Sequence, residues 1–135
     1  MSEEKVISMK VEDKDRLNTL PAHFGRLMLN VESMIFSCMS EICDEYRGGY
    51  WEFFNLSNGG FFMAPVVEEK MSISVAGNYY EGTMSGDAAG IVATLMALSR
   101  MAFVTDSENI VNHFYWLKNF VEDHPEAESI YRAID

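Results

Sequence analysis

Apolar and polar positions follow two different periods along this chain, and the places where the period changes predict its elements. From Val31 to Tyr46 the apolar residues Val31, Met34, Ile35, Cys38, Ile42 and Tyr46 recur at helical spacing, with Glu32, Ser33, Ser40, Glu41 and Asp44 on the other side. This predicts an amphipathic helix, capped by Asn30 and stopped by Gly48-Gly49. Ahead of it, Leu20-Pro21-Ala22-His23-Phe24-Gly25 reads as a break between two short helical pieces. Val6 to Val11 can form a short edge strand within a polar start. The middle of the chain is β in character. Tyr50 to Leu56 and Phe61 to Pro65 are rich in aromatics and flank Ser57-Asn58-Gly59-Gly60, where Asn-Gly favours a type I′ turn. Met71 to Val75 alternates as a third strand, and Tyr79 to Met84, after Gly77-Asn78, follows as a fourth.

The helical period returns in the last third. Ser85 can cap a helix whose first turn holds Asp87, favourably placed at the positive end of the dipole. Ala88 to Phe103 is apolar nearly all round, which predicts a central buried helix. Thr105-Asp106-Ser107-Glu108 fits a capping box before a helix carrying Ile110, Val111, Phe114, Leu117 and Val121. Pro125, at a first helical position, opens a terminal helix ending near Ile134. The reading is an α+β fold: a small antiparallel sheet built on an Asn-Gly hairpin and packed with four to five helices.

Composition sharpens this picture. A chain of 135 residues with 48% hydrophobic content fits one domain with a real core. Ala88 to Val104 is about the minimum span of a bilayer, but Thr94, Ser99 and Arg100 interrupt it, which favours a core helix over a membrane span. Met1-Ser2-Glu3-Glu4-Lys5 has no apolar run, so no secretory signal is read, and the two cysteines fit a reducing cytoplasm. The net charge of −11 argues against direct contact with nucleic acid, whose phosphates recruit Lys and Arg. It suits docking to a basic surface instead. DNA mimicry over the whole surface is weak: a domain of this length is roughly 37 Å across, and duplex DNA of that length carries about 22 phosphate charges. A local acidic patch near the C-terminus remains, since Asp106 to Asp135 holds seven acids against Lys118 and Arg132.

No catalytic signature emerges. His23, His113 and His124 sit at no ligand spacing, and Cys38 and Cys43 fall on different helix faces, so buried thiols and surface imidazoles are expected rather than a metal site. A Cys43–His113 nucleophilic pair has no local signature. The small residues around Ser85–Ala88 can bind an anion through free amides, giving an alternative reading as a small-molecule or anion-binding module. Asp87 and the missing P-loop lysine favour simple capping and close packing. The aromatics of the hairpin lack the interleaved Lys and Arg of a base-stacking surface and are read as core.

Three long motifs stand out: Tyr46-Arg47-Gly48-Gly49-Tyr50-Trp51-Glu52-Phe53-Phe54-Asn55-Leu56-Ser57-Asn58-Gly59-Gly60-Phe61-Phe62-Met63-Ala64-Pro65, then Gly82-Thr83-Met84-Ser85-Gly86-Asp87-Ala88-Ala89-Gly90-Ile91-Val92-Ala93-Thr94-Leu95, and finally Asp123-His124-Pro125-Glu126-Ala127 with Ala133-Ile134-Asp135. Together they resemble the ArdB/KlcA antirestriction family. Leu20-Pro21 and Phe24-Gly25 resemble earlier pairs of the family. The resemblance covers one domain from about Arg16 to the end, and residues 1–15 match least. It implies a small α+β protein of mobile elements that relieves type I restriction in the cell, with no cofactor and no catalytic residue. The expected partner is the type I restriction complex or an accessory host protein. The contact residues expected are Glu122, Asp123, Glu126, Glu128 and Asp135, with Asn58 and Gly59 at the hairpin turn.

Overall fold

The computed structural model describes residues 5–135. Met1 to Glu4, part of the polar start on which the absence of a secretory signal was read, lie outside the described residues. Strand β1 (Ser8–Lys10) pairs antiparallel with β2 (Trp51–Leu56), which pairs in turn with β3 (Phe61–Pro65). Strands β4 (Met71–Val75) and β5 (Tyr80–Met84) form a separate two-stranded sheet. The expected single small sheet is therefore two. Val66 turns its N–H back to Tyr50 O at the end of β3, and the chain leaves before β4 can join. Helices α1 (Arg16–Phe24), α2 (Met28–Ile42), α3 (Gly86–Thr105), α4 (Glu108–Val121) and α5 (Ala127–Ile134) complete the α+β fold.

α3 is the centre. It is long and apolar enough to cross a membrane, but most of its side chains are buried against α2, β3, α4 and α5, as a core helix requires. One stripe of it lies along the outer edge of β3. Gly86 and Gly90, one helical turn apart, bring the helix so close that a Cβ at Gly86 would sit 2.7 Å from Pro65 O, and one at Gly90 2.5 Å from Ala64 Cα. On the next turn Thr94 Oγ1 donates to Gly90 O (2.8 Å) and takes up the Met63 N–H at 3.5 Å. The edge of β3 is thereby covered rather than left open to pairing. Of the hairpin aromatics, Trp51, Phe53, Phe61 and Phe62 are buried in the core as expected, and the cross-strand pair Phe54–Phe62 stacks at 4.6 Å; Tyr50, just ahead of β2, is exposed instead, with Arg16 over its ring.

Several local expectations are corrected. α2 begins at Met28, because a 3-10 turn over Gly25–Leu27 feeds straight into it; Asn30 lies inside the helix and caps nothing. The helix ends at Ile42, since Cys43 is already extended, and this frees Tyr46 to accept a hydrogen bond from Trp51 Nε1 (3.1 Å). Gly48 and Gly49, with φ of 91° and 122°, shape the return to β2 rather than the helix stop. Pro21 sits inside α1, and the break falls at Gly25 alone. The hairpin turn is not type I′, because only Gly59 (φ 103°) is left-handed and Asn58 is not. Leu56 N–H bonds Gly60 O, and Gly59 N–H bonds Leu56 O, which is the pattern of a three-residue loop with a bulge glycine. Ser85 caps α3 as expected, accepting from Ala88 N at 3.1 Å. α4 is capped by Ser107 and not by a Thr105–Glu108 box: Thr105 Oγ1 turns back to Met101 O, leaving Ser107 Oγ to accept from Ile110 N. Pro125 stays in the turn before α5, which starts two residues later.

Candidate functional site

The acidic residues expected to make contacts divide into two groups. Glu122, Asp123, Glu128 and Asp135 are exposed along the α4–α5 connection and α5. Three of them gather around one phenol. The Tyr131 hydroxyl is pushed above its ordinary range, first by burial and then by Glu122, Asp135 and Asp123. Together they form a negative surface beside a half-buried tyrosine.

Glu126 belongs elsewhere. Its carboxylate turns onto the start of α3, where Oε1 accepts the Ser85 N–H (3.0 Å) and Oε2 accepts the Ser85 hydroxyl (2.5 Å). The hydroxyl in turn accepts from Ala88 N, so one carboxylate and one serine take up the Ser85 and Ala88 amides at the helix start. This bears directly on the anion-binding reading of Ser85–Ala88, because the chain's own carboxylate already holds the Ser85 N–H and hydroxyl. The neighbouring Asp87 faces His124 Nε2 at 3.5 Å, while His124 Nδ1 accepts the Glu126 N–H (2.9 Å). Glu126 is thus half-buried and structural, and reversing its charge tests the fold as much as any contact.

The hairpin turn is also partly engaged. Asn58 Nδ2 donates to Trp116 O (2.9 Å), its Oδ1 accepts the Gly60 N–H, and Gly59 lies against the Trp116 ring. Ser57 and Gly59 stay exposed. Asn58 therefore pins the turn to the middle of α4, and Glu122 lies six residues farther on, about 9 Å along the axis.

The histidines are not on the surface. His23 on α1 and His113 on α4 meet with Nδ1 and Nε2 3.0 Å apart, in contact with Phe24 and, for His23, Phe61. The chain of bonds continues at both ends, through His113 Nδ1 to Asn109 O (2.9 Å) and His23 Nε2 to the Asn55 amide (2.7 Å). Burial lowers the pKa of both imidazoles. The structure turns Asn55 Oδ1 toward His23 Nε2, so that ring donates there and its Nδ1 is left to accept from His113 Nε2. With His113 Nδ1 also donating to Asn109 O, the pair carries one extra proton in this orientation, and turning the Asn55 amide over lets both rings be neutral. Nothing in the sequence announced this relay, since its members lie 32 and 90 residues apart.

Burial pushes the Cys38 thiol up to about 11, against the pull of Arg100, so it stays protonated near neutrality. Cys43 is buried and makes no hydrogen bond to a histidine among the described residues; His113 is occupied by His23 and Asn109. Among the described residues no group of three or more His, Cys, Asp or Glu side chains is gathered as a metal site. A concavity of about 870 Å³ runs between β4, the end of α2 and α3. Asp44, Glu45 and Glu81 rim it, and Arg100 is paired with Glu41 at 2.7 Å. The residues lining it include no histidine or cysteine to act as base or nucleophile.

Comparison with known proteins agrees with the motifs. The family model for antirestriction proteins matches residues 44–135. Two Escherichia coli proteins called antirestriction protein KlcA are 42% and 41% identical, covering 96% and 98% of this chain and 94% and 97% of their own length. A putative antirestriction protein YubI of Escherichia coli K12 is 32% identical over 97% of both. A solved structure superposes with a TM-score of 0.92 at 42% identity and full coverage of both chains. It is described as showing that KlcA and ArdB proteins have a novel fold and antirestriction activity against type I DNA restriction systems in vivo but not in vitro. The long central motifs, the two-hairpin fold and these relatives lead to one conclusion: the chain belongs to the antirestriction protein family.

Proposed function

We propose that this protein relieves type I restriction of incoming DNA in the cell, without catalysis, by contact with the restriction complex or an accessory host protein. The observation that carries the reading is the full-length likeness to a structure whose protein acts in vivo but not in vitro. A requirement for the cell fits an inhibitor that needs a further component better than one that blocks the enzyme alone. The acids around Tyr131, with Glu128, supply an exposed negative surface for such a contact. The exposed Ser57 and Gly59 of the turn are the second element. DNA is not the proposed ligand, since the net charge of −11 opposes approach to phosphates.

The test is the plating efficiency of unmodified phage on cells carrying a type I system, with and without the protein. Recovery of plaques is expected with the wild type. The triple variant Glu122→Lys/Asp123→Lys/Glu128→Lys should lose that recovery while its unfolding midpoint stays near the wild-type value. Full protection by a folded triple variant would remove the contact assignment, and no protection by the wild type would remove the function.

A further inference from the structure

The second sheet has two strands, so each has a hydrogen-bonded neighbour on one side only. Among the described residues the backbone of Ser72 to Val75 in β4 bonds only to β5. An antiparallel strand with one neighbour leaves the N–H and C=O of alternate residues pointing away from it, unpaired. Those four consecutive residues, with Ala76 to Asn78 of the turn that follows, line the concavity of about 870 Å³ beside the end of α2 and α3. Other strand edges in the molecule are protected. β3 is covered by α3, and β1 is only three residues long and carries Lys10. β4 has neither device: Met71 to Val75 contains no Lys and no Pro, and its exposed side chains are the small Ser72 and Ser74.

The groove is also acidic. Glu41, Asp44, Glu45, Glu81 and Asp135 line it against one cation, Arg100, and that guanidinium is already held by both Glu41 oxygens at 2.7 and 3.0 Å. Asp44, Glu45 and Glu81 are exposed, and their carboxylates enter no ion pair among the described residues. Ile73, Leu95, Met96 and Phe114 add apolar lining. We propose that this groove takes an extended segment of a partner protein bearing Lys or Arg, which pairs with the free edge of β4 as an added strand. Backbone pairing is indifferent to sequence and supplies the hold. The side chains that alternate along the segment carry their charges to Asp44, Glu45 and Glu81, and their methylene stems lie on the apolar lining. Nucleic acid is repelled by the same carboxylates. Asp135 is the one residue that the groove shares with the acids around Tyr131, so this surface is additional to the contact proposed above.

Fluorescence anisotropy on the full chain tests this with a labelled peptide of alternating lysine and valine, about seven residues long so that it overruns the roughly 17 Å of a five-residue strand. Binding is expected between micromolar and millimolar peptide, and it should weaken as sodium chloride is raised. Two N-methylated forms of the same peptide separate strand pairing from charge. Methylating one alternate set of amides should weaken binding about tenfold or more, and methylating the other set should not, because only one set faces β4. Asp44→Lys/Glu45→Lys should weaken binding about tenfold, with an unfolding midpoint near the wild-type value; Glu81→Lys serves if the double variant does not fold. Glu122→Lys/Glu128→Lys changes the net charge equally at the other acidic surface and should cost no more than about twofold. No binding at millimolar peptide overturns the proposal, as do equal affinities of the two methylated peptides or equal responses to the two double variants. None of these readings needs a restriction system. Selective peptide binding by a wild type that does not protect cells would sustain the groove and remove the antirestriction function.

Discussion

Replacing Gly90 by alanine separates two opposing effects of one methyl group. Within an exposed helix the change is favourable by about 1 kcal/mol, because alanine loses less backbone freedom. Here the new Cβ would lie against Met63 O and 2.5 Å from both Ala64 Cα and Ala64 Cβ. Ordinary carbon contacts are about 3.5–4.0 Å, so the overlap is roughly 1 Å, and the obstacle is strand backbone that no rotamer change can clear. α3 must lift from the edge of β3, loosening the Met63–Thr94 contact and the buried residues on either side. Overpacking typically costs about 1–3 kcal/mol, and the rigid obstacle places this site at the upper end, so the net loss is about 2 kcal/mol. For a domain of this size that lowers Tm by roughly 8 °C. The control is Gly77→Ala, where nothing lies within 4 Å and φ is not left-handed; it should gain about 0.4–1 kcal/mol. Urea unfolding followed by far-UV circular dichroism measures both. The expected gap is about 3 kcal/mol, a hundredfold in the folding equilibrium constant. Two variants within about 0.5 kcal/mol of each other would refute the claim that close approach, and not helix propensity, fixes glycine at position 90.

Two further outcomes follow from the bonds around Ser85 and His23. Glu126→Ala removes a charged acceptor of two hydrogen bonds and should cost about 2 kcal/mol, whereas Glu128→Ala should stay within about 0.5 kcal/mol; equal losses in urea titrations would show that the carboxylate does not hold the helix start. His23 and His113 have folded pKa values below 6.5, so between those values and 6.5 the unfolded chain binds more protons than the folded one. Their contribution is complete above 6.5 and declines as pH falls toward the folded pKa values. The difference in unfolding free energy between wild type and His23→Gln should therefore shrink from about pH 7.5 to about pH 5. A constant difference would mean that the pair does not titrate on unfolding.

The periodic elements were legible because each is written in adjacent residues. The alternation of Met71 to Val75, the all-round apolar run of α3 and the Ser85 cap depend on nothing beyond their own neighbours. Errors arose where the entry into an element or a distant partner decides. Asn30 has the chemistry of a cap, but the preceding 3-10 turn leaves α2 no free start there. Asn-Gly permits type I′, yet Asn58 is held by Trp116 O, 58 residues away, in a different loop geometry. Of the candidate contacts, Glu126 carried the same sequence signal as Glu128, and only Ser85, 41 residues earlier, distinguishes them. The imidazole relay had no signal at all. It is assembled from α1, β2 and α4 by tertiary packing.

The Ser85–Glu126 contact also sets an order of events during synthesis. The central helix emerges from the ribosome complete in sequence by Thr105, but the acceptor that holds Ser85 arrives 21 residues later, with Glu126. Asn78, in the turn between β4 and β5, waits longer still, for Ala133 O. Both the second hairpin and the start of α3 are thus tied down by residues translated after α3 itself. The nascent chain can collapse around the first hairpin and α2, while its remaining half gains cooperative stability only when α5 docks.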